Sequence, residues 1–317
     1  MLEKIIATIN SCQTFLLTSH IRPDGDAIGS ELALYHMLRN MGKEALIYNE
    51  DETPGNYEFL TGGADIAHSL PDLTRYDAVF LLDCSDMKRV GKQASRLKMM
   101  ERIINIDHHR SNNRFCDLAY IDPEASSTAE LVYRLITQMA AVITKDMANC
   151  LYAAIETDTG GFRHRNTKQE TLLVAGDLLG KGADPQWLSE NIYENTPPGK
   201  IRLMTKALES LSFDCEGRIA SMVVTLDDIE STGALSEHIE GFVDIPQTVR
   251  GVDVSVFYLE LEENSYKLSF RSKSKINVET VASRFEGGGH TNAAGCEIVG
   301  DLETIMRQVT EAIRAVL

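Results

Sequence analysis

The chain has 317 residues, 43% of them hydrophobic and 25% charged, and a formal net charge of −16. That length is large for one hydrophobic core and predicts two domains, and the apolar fraction excludes a disordered chain. The acidic surface repels phosphate backbones and argues against long duplex nucleic acid, although bound divalent cations can reverse the sign locally for a small phosphorylated substrate.

The N-terminal MLEKIIATINSCQ mixes charged and amide side chains with apolar ones and lacks the apolar core of a secretory signal. No stretch reaches the ~20 apolar residues of a membrane span. Cys12, Cys84, Cys116, Cys150, Cys215 and Cys296 are scattered without a C-x-x-C pair. Such thiols read as free and reduced, so a cytoplasmic protein with no membrane partner is expected.

Strand-like FLLTS leads into HIRPDGD, with His20, Asp24 and Asp26, and a helix is expected from about Ser30 to Asn40, closed by Gly42. ALIYNE, AVFLLD and RIINID read as strands; the second ends on Asp83 and the third on Asp107-His108-His109. SSTAELVYRLITQMAA reads as a helix, with Ser127 and Glu130 in a capping-box pattern. The apolar run LYAAIET leads into Asp158, and the longer DMANCLYAAIETD fits either a helix or a buried run. TKQETLLVAGDLLGKG is a further amphipathic helix. This alternation predicts an α/β domain over residues 1–185, with a mainly parallel sheet flanked by helices.

Residues 186–213 read as a linker with a connector helix, because NTPPGK places Pro197 and Pro198 beside a glycine. A smaller α/β domain with a mixed sheet is expected over 214–317. Its elements are the strand RIASMVVTL, a helical segment near ALSEHIEGFV, a hairpin of DVSVFYLEL and YKLSFRS, the helix NVETVASRF, the strand GCEIVG and the helix LETIMRQVTEAIRAVL.

Taken singly, the polar signals are weak. A D-x-D pair is usually a solvated loop, Asp83 and Asp86 could cap a helix, and Asp158 in ETDTGG could form a turn. Jointly they say more. Four apolar runs each end on Asp or His, and short buried strands open at their carboxyl ends onto sites. Carboxylates gathered there would repel one another unless cations joined them. Oxygen and imidazole ligands without a thiolate suit Mn²⁺ or Mg²⁺ better than a structural zinc. One carboxylate bridging two ions would set them about 3.5–4 Å apart with a hydroxide between them. Cys84, next to Asp83, is expected to turn away from such a centre.

In the C-terminal part, GGGH offers backbone N–H groups that an anion can approach closely, and it is no Walker loop because no Gly-Lys-Ser/Thr follows. Arg271, Lys273 and Lys275 form a local basic run, and the guanidinium fork of Arg271 suits phosphate oxygens. Lys273, Lys275 and Arg284 read as surface charges.

HIRPDGDAIGS, LLDCSD, IDHH and ETDTGG resemble the four motifs of the DHH phosphoesterase family, and GGGHTNAAG at 287–295 resembles the signature of its associated C-terminal domain. The resemblance spans nearly the whole chain and is closest to the two-domain nano-RNases that also dephosphorylate 3′-phosphoadenosine 5′-phosphate. It implies a 1–185 metal-binding catalytic domain and a 214–317 substrate-binding domain. It implies two Mn²⁺ ions per chain, with Mg²⁺ or Co²⁺ as substitutes. His20 and Asp24 would hold the first ion, Asp26, His108 and Asp158 the second, and Asp83 both. Asp83, Asp107 and His109 would be the catalytic set, Asp107 orienting an imidazole or a water and His109 facing the substrate phosphate. Arg271, Ser272, Gly288, Gly289 and His290 would bind the nucleotide.

The implied activity is hydrolysis of short oligoribonucleotides, linear dinucleotides and 3′-phosphoadenosine 5′-phosphate by a hydroxide activated between two metals. Short single-stranded RNA and nucleoside bisphosphates are the expected partners, and a homodimer is compatible with the reading. Two rivals stand against it. An inorganic pyrophosphatase or short-chain polyphosphatase shares the N-terminal motifs but has a basic signature in place of GGGH. A non-catalytic nucleotide-binding regulatory module should lack ligands, and none is missing.

Overall fold

The computed structural model describes residues 1–317 apart from Asp117, Glu240, Ser274 and Lys275 and the side chain of Glu237. Lys275, expected at the surface, therefore lies outside the described residues. The chain divides into two compact units, Met1–Asn195 and Thr196–Leu317. The stretch 186–213, read above as a connector, is shared between them: its first helix lies in the first unit and its second helix in the second.

The first unit runs α1 (Leu2–Ser11), β1 (Thr14–Thr18), α2 (Gly25–Asn40), β2 (Glu44–Ile47), β3 (Ala78–Leu82), α3 (Ala94–Leu97), β4 (Ile103–Asp107), β5 (Leu118–Ile121), α4 (Thr128–Gln138), α5 (Lys145–Asp158), α6 (Gln169–Gly180) and α7 (Pro185–Tyr193). Its sheet is parallel throughout, in the order β2-β1-β3-β4-β5. Strand alternation gives it two apolar faces. Phe15, Leu17, Phe80, Leu82, Ile104 and Ile106 join the core with residues of α2, α4 and α5. Leu16, Val79 and Leu81 join a smaller cluster with Tyr48, Val90 and Leu97 on the other face. Strands covered on both sides read as unbroken apolar runs, which is why β1, β3 and β4 were legible.

Two expectations change here. The helix expected from Ser30, α2, begins at Gly25, because Asp24 caps it by accepting from the N–H groups of Asp26 and Ala27. The glycines of DGDAIG are needed for space. A Cβ on Gly29 would strike the Cys150 carbonyl of α5, and one on Gly25 would strike Thr157 and Tyr57. Second, LYAAIET is helical: Asp158 closes α5, capped at its start by Thr144. This helix is buried from Met147 to Ile155, and an apolar run buried all round cannot be told from a strand by periodicity.

The second unit runs α8 (Pro198–Glu209), β6 (Ser212–Asp214), β7 (Ile219–Val224), α9 (Leu226–Thr232), 3₁₀ turns at Ser236–Ile239 and Phe242–Thr248, β8 (Val254–Glu262), β9 (Ser265–Ser272), α10 (Glu279–Ala282), β10 (Gly288–His290), β11 (Ala293–Val299) and α11 (Leu302–Arg314). The sheet order is β10-β11-β9-β8-β7-β6, with β7 and β8 parallel and the other pairs antiparallel. The expected hairpin is β8–β9. The GGGH segment forms an edge strand on β11. Gly289 sits there at φ 148° with no room for a Cβ against Ala293 and Ala294.

Candidate metal centre

Three adjacent strands of the first sheet end at one place. His20 lies two residues past β1, Asp83 one residue past β3, and Asp107 closes β4 with His108 and His109 after it. Asp24 and Asp26 enter from the start of α2 and Asp158 from the end of α5. The ligand atoms fall into overlapping groups: His20–Asp24–Asp83, Asp26–His108–Asp158 and Asp83–His108–His109, each within 4.8 Å.

Asp83 stands between the first two groups. Its Oδ2 lies 3.3 Å from His20 Nε2, and its Oδ1 lies 3.7 Å from His108 Nε2. His108 Nε2 is also 3.7 Å from both Asp26 Oδ2 and Asp158 Oδ2. Asp24 Oδ2 is 3.9 Å from His20 Nε2 and is the open member, 60% exposed. Asp83 adopts a left-handed conformation, φ 53°, directly after its strand. Asp tolerates that region better than most residues, and such outliers gather at functional sites.

Other groups aim these side chains. The His20 ring contacts the Ile21 carbonyl through Nδ1 at 2.8 Å, which leaves Nε2 for a ligand role. Asp107, fully buried, accepts from His109 Nδ1 at 2.7 Å and from Asn112 Nδ2 at 2.6 Å. His109 is therefore tied through its inner nitrogen and half-exposed on its outer side. The sequence reading missed several supports. The first turn of α4 donates the Thr128 and Ala129 N–H groups to Asp26 at 2.7 and 2.9 Å, and Thr128 Oγ1 donates to Asp83 at 2.8 Å. A helix start is a ready anion seat, and SST before an apolar helix was the available signal. Ser127 caps α4 as expected, but Glu130 turns instead to Ser126 and Arg134, so the reciprocal half of the capping box is not formed. Asn166, also missed, donates to Asp158 Oδ2 at 3.1 Å.

The charges fit cations. Burial pushes the Asp26 carboxyl well up, and Asp83, Asp158 and Asp24 push it further. Asp158 rises to about 6, first through burial. For Asp83, burial also pushes upward, but the His20 hydrogen bond and the other imidazoles prevail and hold it at about 2. Its hydrogen bond to Asp107 is the main cause that lifts His109 to about 9. The protein alone thus cannot keep every carboxylate ionised, which is the condition divalent cations relieve. Cys84 stays out of the cluster: it is buried, donates to the Asp86 carbonyl, and burial raises its thiol to about 12. Asp86 caps the short 3₁₀ turn after it by accepting from the Lys88 N–H.

Behind the ligands, Glu31 of α2 is fully buried. Its Oε2 accepts from Asn49 Nδ2 at 2.8 Å, and Oε1 has no partner. Asn49 in turn accepts from Ser19, the residue before His20. Burial raises the Glu31 acid to about 8.

In the second unit, register places His290, Ala293, Arg271 and Ser255 in one row across β10, β11, β9 and β8. Cross-strand partners share a face, so Arg271 and His290 flank the small Ala293, two strand spacings or roughly 10 Å apart. Gly288 is exposed beside His290. Ser272, expected to bind phosphate with Arg271, does not share that face. Successive strand residues alternate, and its hydroxyl donates to the Ile276 carbonyl at 2.6 Å.

The first unit matches the model of the DHH family N-terminal domain over residues 14–155, and the second matches the DHHA1 domain over residues 219–316. A bifunctional oligoribonuclease and PAP phosphatase NrnA of Thermus thermophilus is 36% identical, covering 94% of this chain and 88% of the relative. The chain belongs to the DHH family of phosphoesterases. A second NrnA, from Bacillus subtilis, is 27% identical over 97% of this chain and 99% of its own. Among solved structures, an exopolyphosphatase-related protein from Bacteroides fragilis superposes with TM-score 0.87 and 29% identity, covering 99% of this chain and 95% of that one. The exonuclease RecJ bound to manganese shares the DHH fold at TM-score 0.53 and 14% identity, covering 99% and 93%. The α/β fold read from sequence, with a parallel and then a mixed sheet, is thus the fold of the DHH family. Among the described residues no helix is long and apolar enough to cross a membrane.

Proposed function

We propose that this chain is a Mn²⁺-dependent hydrolase of short oligoribonucleotides, linear dinucleotides and 3′-phosphoadenosine 5′-phosphate, acting in the cytoplasm. The observation that carries the reading is the closeness of two ligand groups, His20–Asp24–Asp83 and Asp26–His108–Asp158, with Asp83 Oδ1 3.7 Å from His108 Nε2. The NrnA names of two relatives matching nearly the whole chain support the substrate class.

In this reading His20 and Asp24 would hold one cation, Asp26, His108 and Asp158 a second, and Asp83 would contribute to both. Divalent cations held there would supply a more acidic water and positive charge toward phosphoryl oxygens. The rest falls to side chains. Thr128 and the start of α4 fix Asp26 and Asp83. Asp107 and Asn112 fix His109, whose outer nitrogen is presented to a phosphoryl oxygen. Arg271 and His290, with the N–H groups of Gly288 and Gly289, grip the nucleotide phosphate. Ser272 secures the segment after β9.

The likeness to the exopolyphosphatase-related protein favours one rival, a pyrophosphatase or short-chain polyphosphatase. The test is a panel with Mn²⁺: pApA, an RNA pentamer, 3′-phosphoadenosine 5′-phosphate, pyrophosphate and tripolyphosphate. Turnover of the nucleotides with slow pyrophosphate and tripolyphosphate hydrolysis is expected. Fast pyrophosphate or tripolyphosphate cleavage with inert nucleotides would overturn the substrate assignment.

A further inference from the structure

We infer that Asp244 and Gln247, on the 3₁₀ turn Phe242–Thr248, are positioning residues that hold Arg271 ready for the substrate phosphate. The inference rests on the reading that Arg271 meets the substrate. Asp244 Oδ1 lies 3.2 Å from Arg271 Nε. Gln247 Nε2 donates to the Arg271 carbonyl at 3.0 Å and to Ser255 Oγ at 3.0 Å. Ser255 is fully buried, sits directly opposite Arg271 on β8, and donates to the Val243 carbonyl at 2.7 Å. One short turn is therefore stapled to the strand pair at Ser255 and grips Arg271 by both backbone and side chain.

That arrangement has a physical use. An arginine has many rotamers, and a ligand that must order it loses affinity. Asp244 and the Phe270 carbonyl, which accepts from Nη1 at 3.1 Å, fix the guanidinium before any ligand arrives. These contacts use only part of the donor fork, and the remainder stays available to an anion. Arg271 is 37% exposed and Asp244 58%, so the pair adds little to folding stability. The turn also stands beside the row that sets Arg271 and His290 on one face, so it orients the guanidinium on the face where a phosphate would lie.

The test compares Asp244→Ala, Asp244→Asn and Arg271→Ala in the full chain with Mn²⁺ and pApA, reading KM and kcat separately alongside the thermal midpoint. Asp244→Ala should raise KM about 5- to 10-fold with kcat within about 2-fold. Asp244→Asn keeps an acceptor for the Nε–H and should stay within about 2-fold of the parent KM. An unchanged or lowered KM in Asp244→Ala overturns the inference, the lowered value meaning that the carboxylate competes with the phosphate. So does a loss of kcat together with a lowered midpoint, which would mark a structural role. If Arg271→Ala raises KM and Asp244→Ala does not, the inference alone fails. If Arg271→Ala leaves KM unchanged, the substrate role of Arg271 falls and the inference with it.

Discussion

The two units build their polar sites in opposite ways. In the first, Asp26, Asp83 and Asp107 are almost wholly buried, and each is held by at least two donors or imidazoles. In the second, Gly288, Gly289 and His290 lie exposed along an edge strand and Arg271 is half-buried. Burial is the first cause that pushes the Asp26 and Asp158 carboxyls of the first unit upward. Burying several like charges is costly and makes sense only for a permanently bound counter-charge. A surface that must release its ligand every turnover gains nothing from such burial. On the proposed function, the contrast would separate a centre that keeps cations from a face that exchanges a phosphate.

Asp83→Asn should break the first half of that contrast most severely. The substitution keeps an oxygen for Thr128 but removes the charge that stands between His20 and His108. Losing several kcal/mol of metal-assisted stabilisation lowers kcat by about 10³-fold or more. Mn²⁺ binding, followed by calorimetry, should weaken in parallel while the circular dichroism spectrum persists. A variant within tenfold of the parent would show that Asp83 does not join the two groups.

Much of this centre was legible because strand ends advertise themselves. β1, β3 and β4 are apolar runs that stop on His20, Asp83 and Asp107–His109, and they are neighbours in the sheet. What was not legible depends on helices. Asp158 closes a helix buried all round from Met147 to Ile155, so periodicity could not separate it from a strand. The Thr128 and Ala129 N–H groups that hold Asp26 carry no side-chain signature of their own beyond the SST that opens α4. In the second unit, the segment GGGH was visible, but its pairing to Ala293 and the shared row with Arg271 are properties of register. The face of Ser272 was hidden for the same reason: adjacency in sequence means opposite faces in a strand.

Glu31 sharpens the comparison through stability. Its carboxyl is fully buried, and burial raises it from 4.5 to about 8. Between those values the folded chain keeps the proton that the unfolded chain releases, so stability falls as pH rises from 4.5 toward 8. Gln resembles the protonated acid in shape and removes that slope. In EDTA-treated protein, Glu31→Gln should therefore gain on the parent between pH 5 and pH 8 by on the order of 3 kcal/mol in urea unfolding. Parallel curves for the two proteins would mean that the acid ionises freely within the fold, and that the carboxylates of this unit are less sequestered than their packing indicates.

The smallest effect belongs to the exposed face. His290 stands at the edge strand across Ala293 from Arg271, and its side chain makes no hydrogen bond or ion pair among the described residues. Removing it leaves nothing buried unsatisfied, so the thermal midpoint of His290→Ala should stay within about 1 °C of the parent. Losing one donor to a phosphate is worth roughly 1 kcal/mol, which raises KM for pApA about fivefold. Mn²⁺ affinity should not move, because no ligand of the first unit is touched. A parallel loss of Mn²⁺ affinity and kcat in His290→Ala would place the imidazole in the chemistry rather than in the grip, and the two units would no longer divide the work between cation and phosphate.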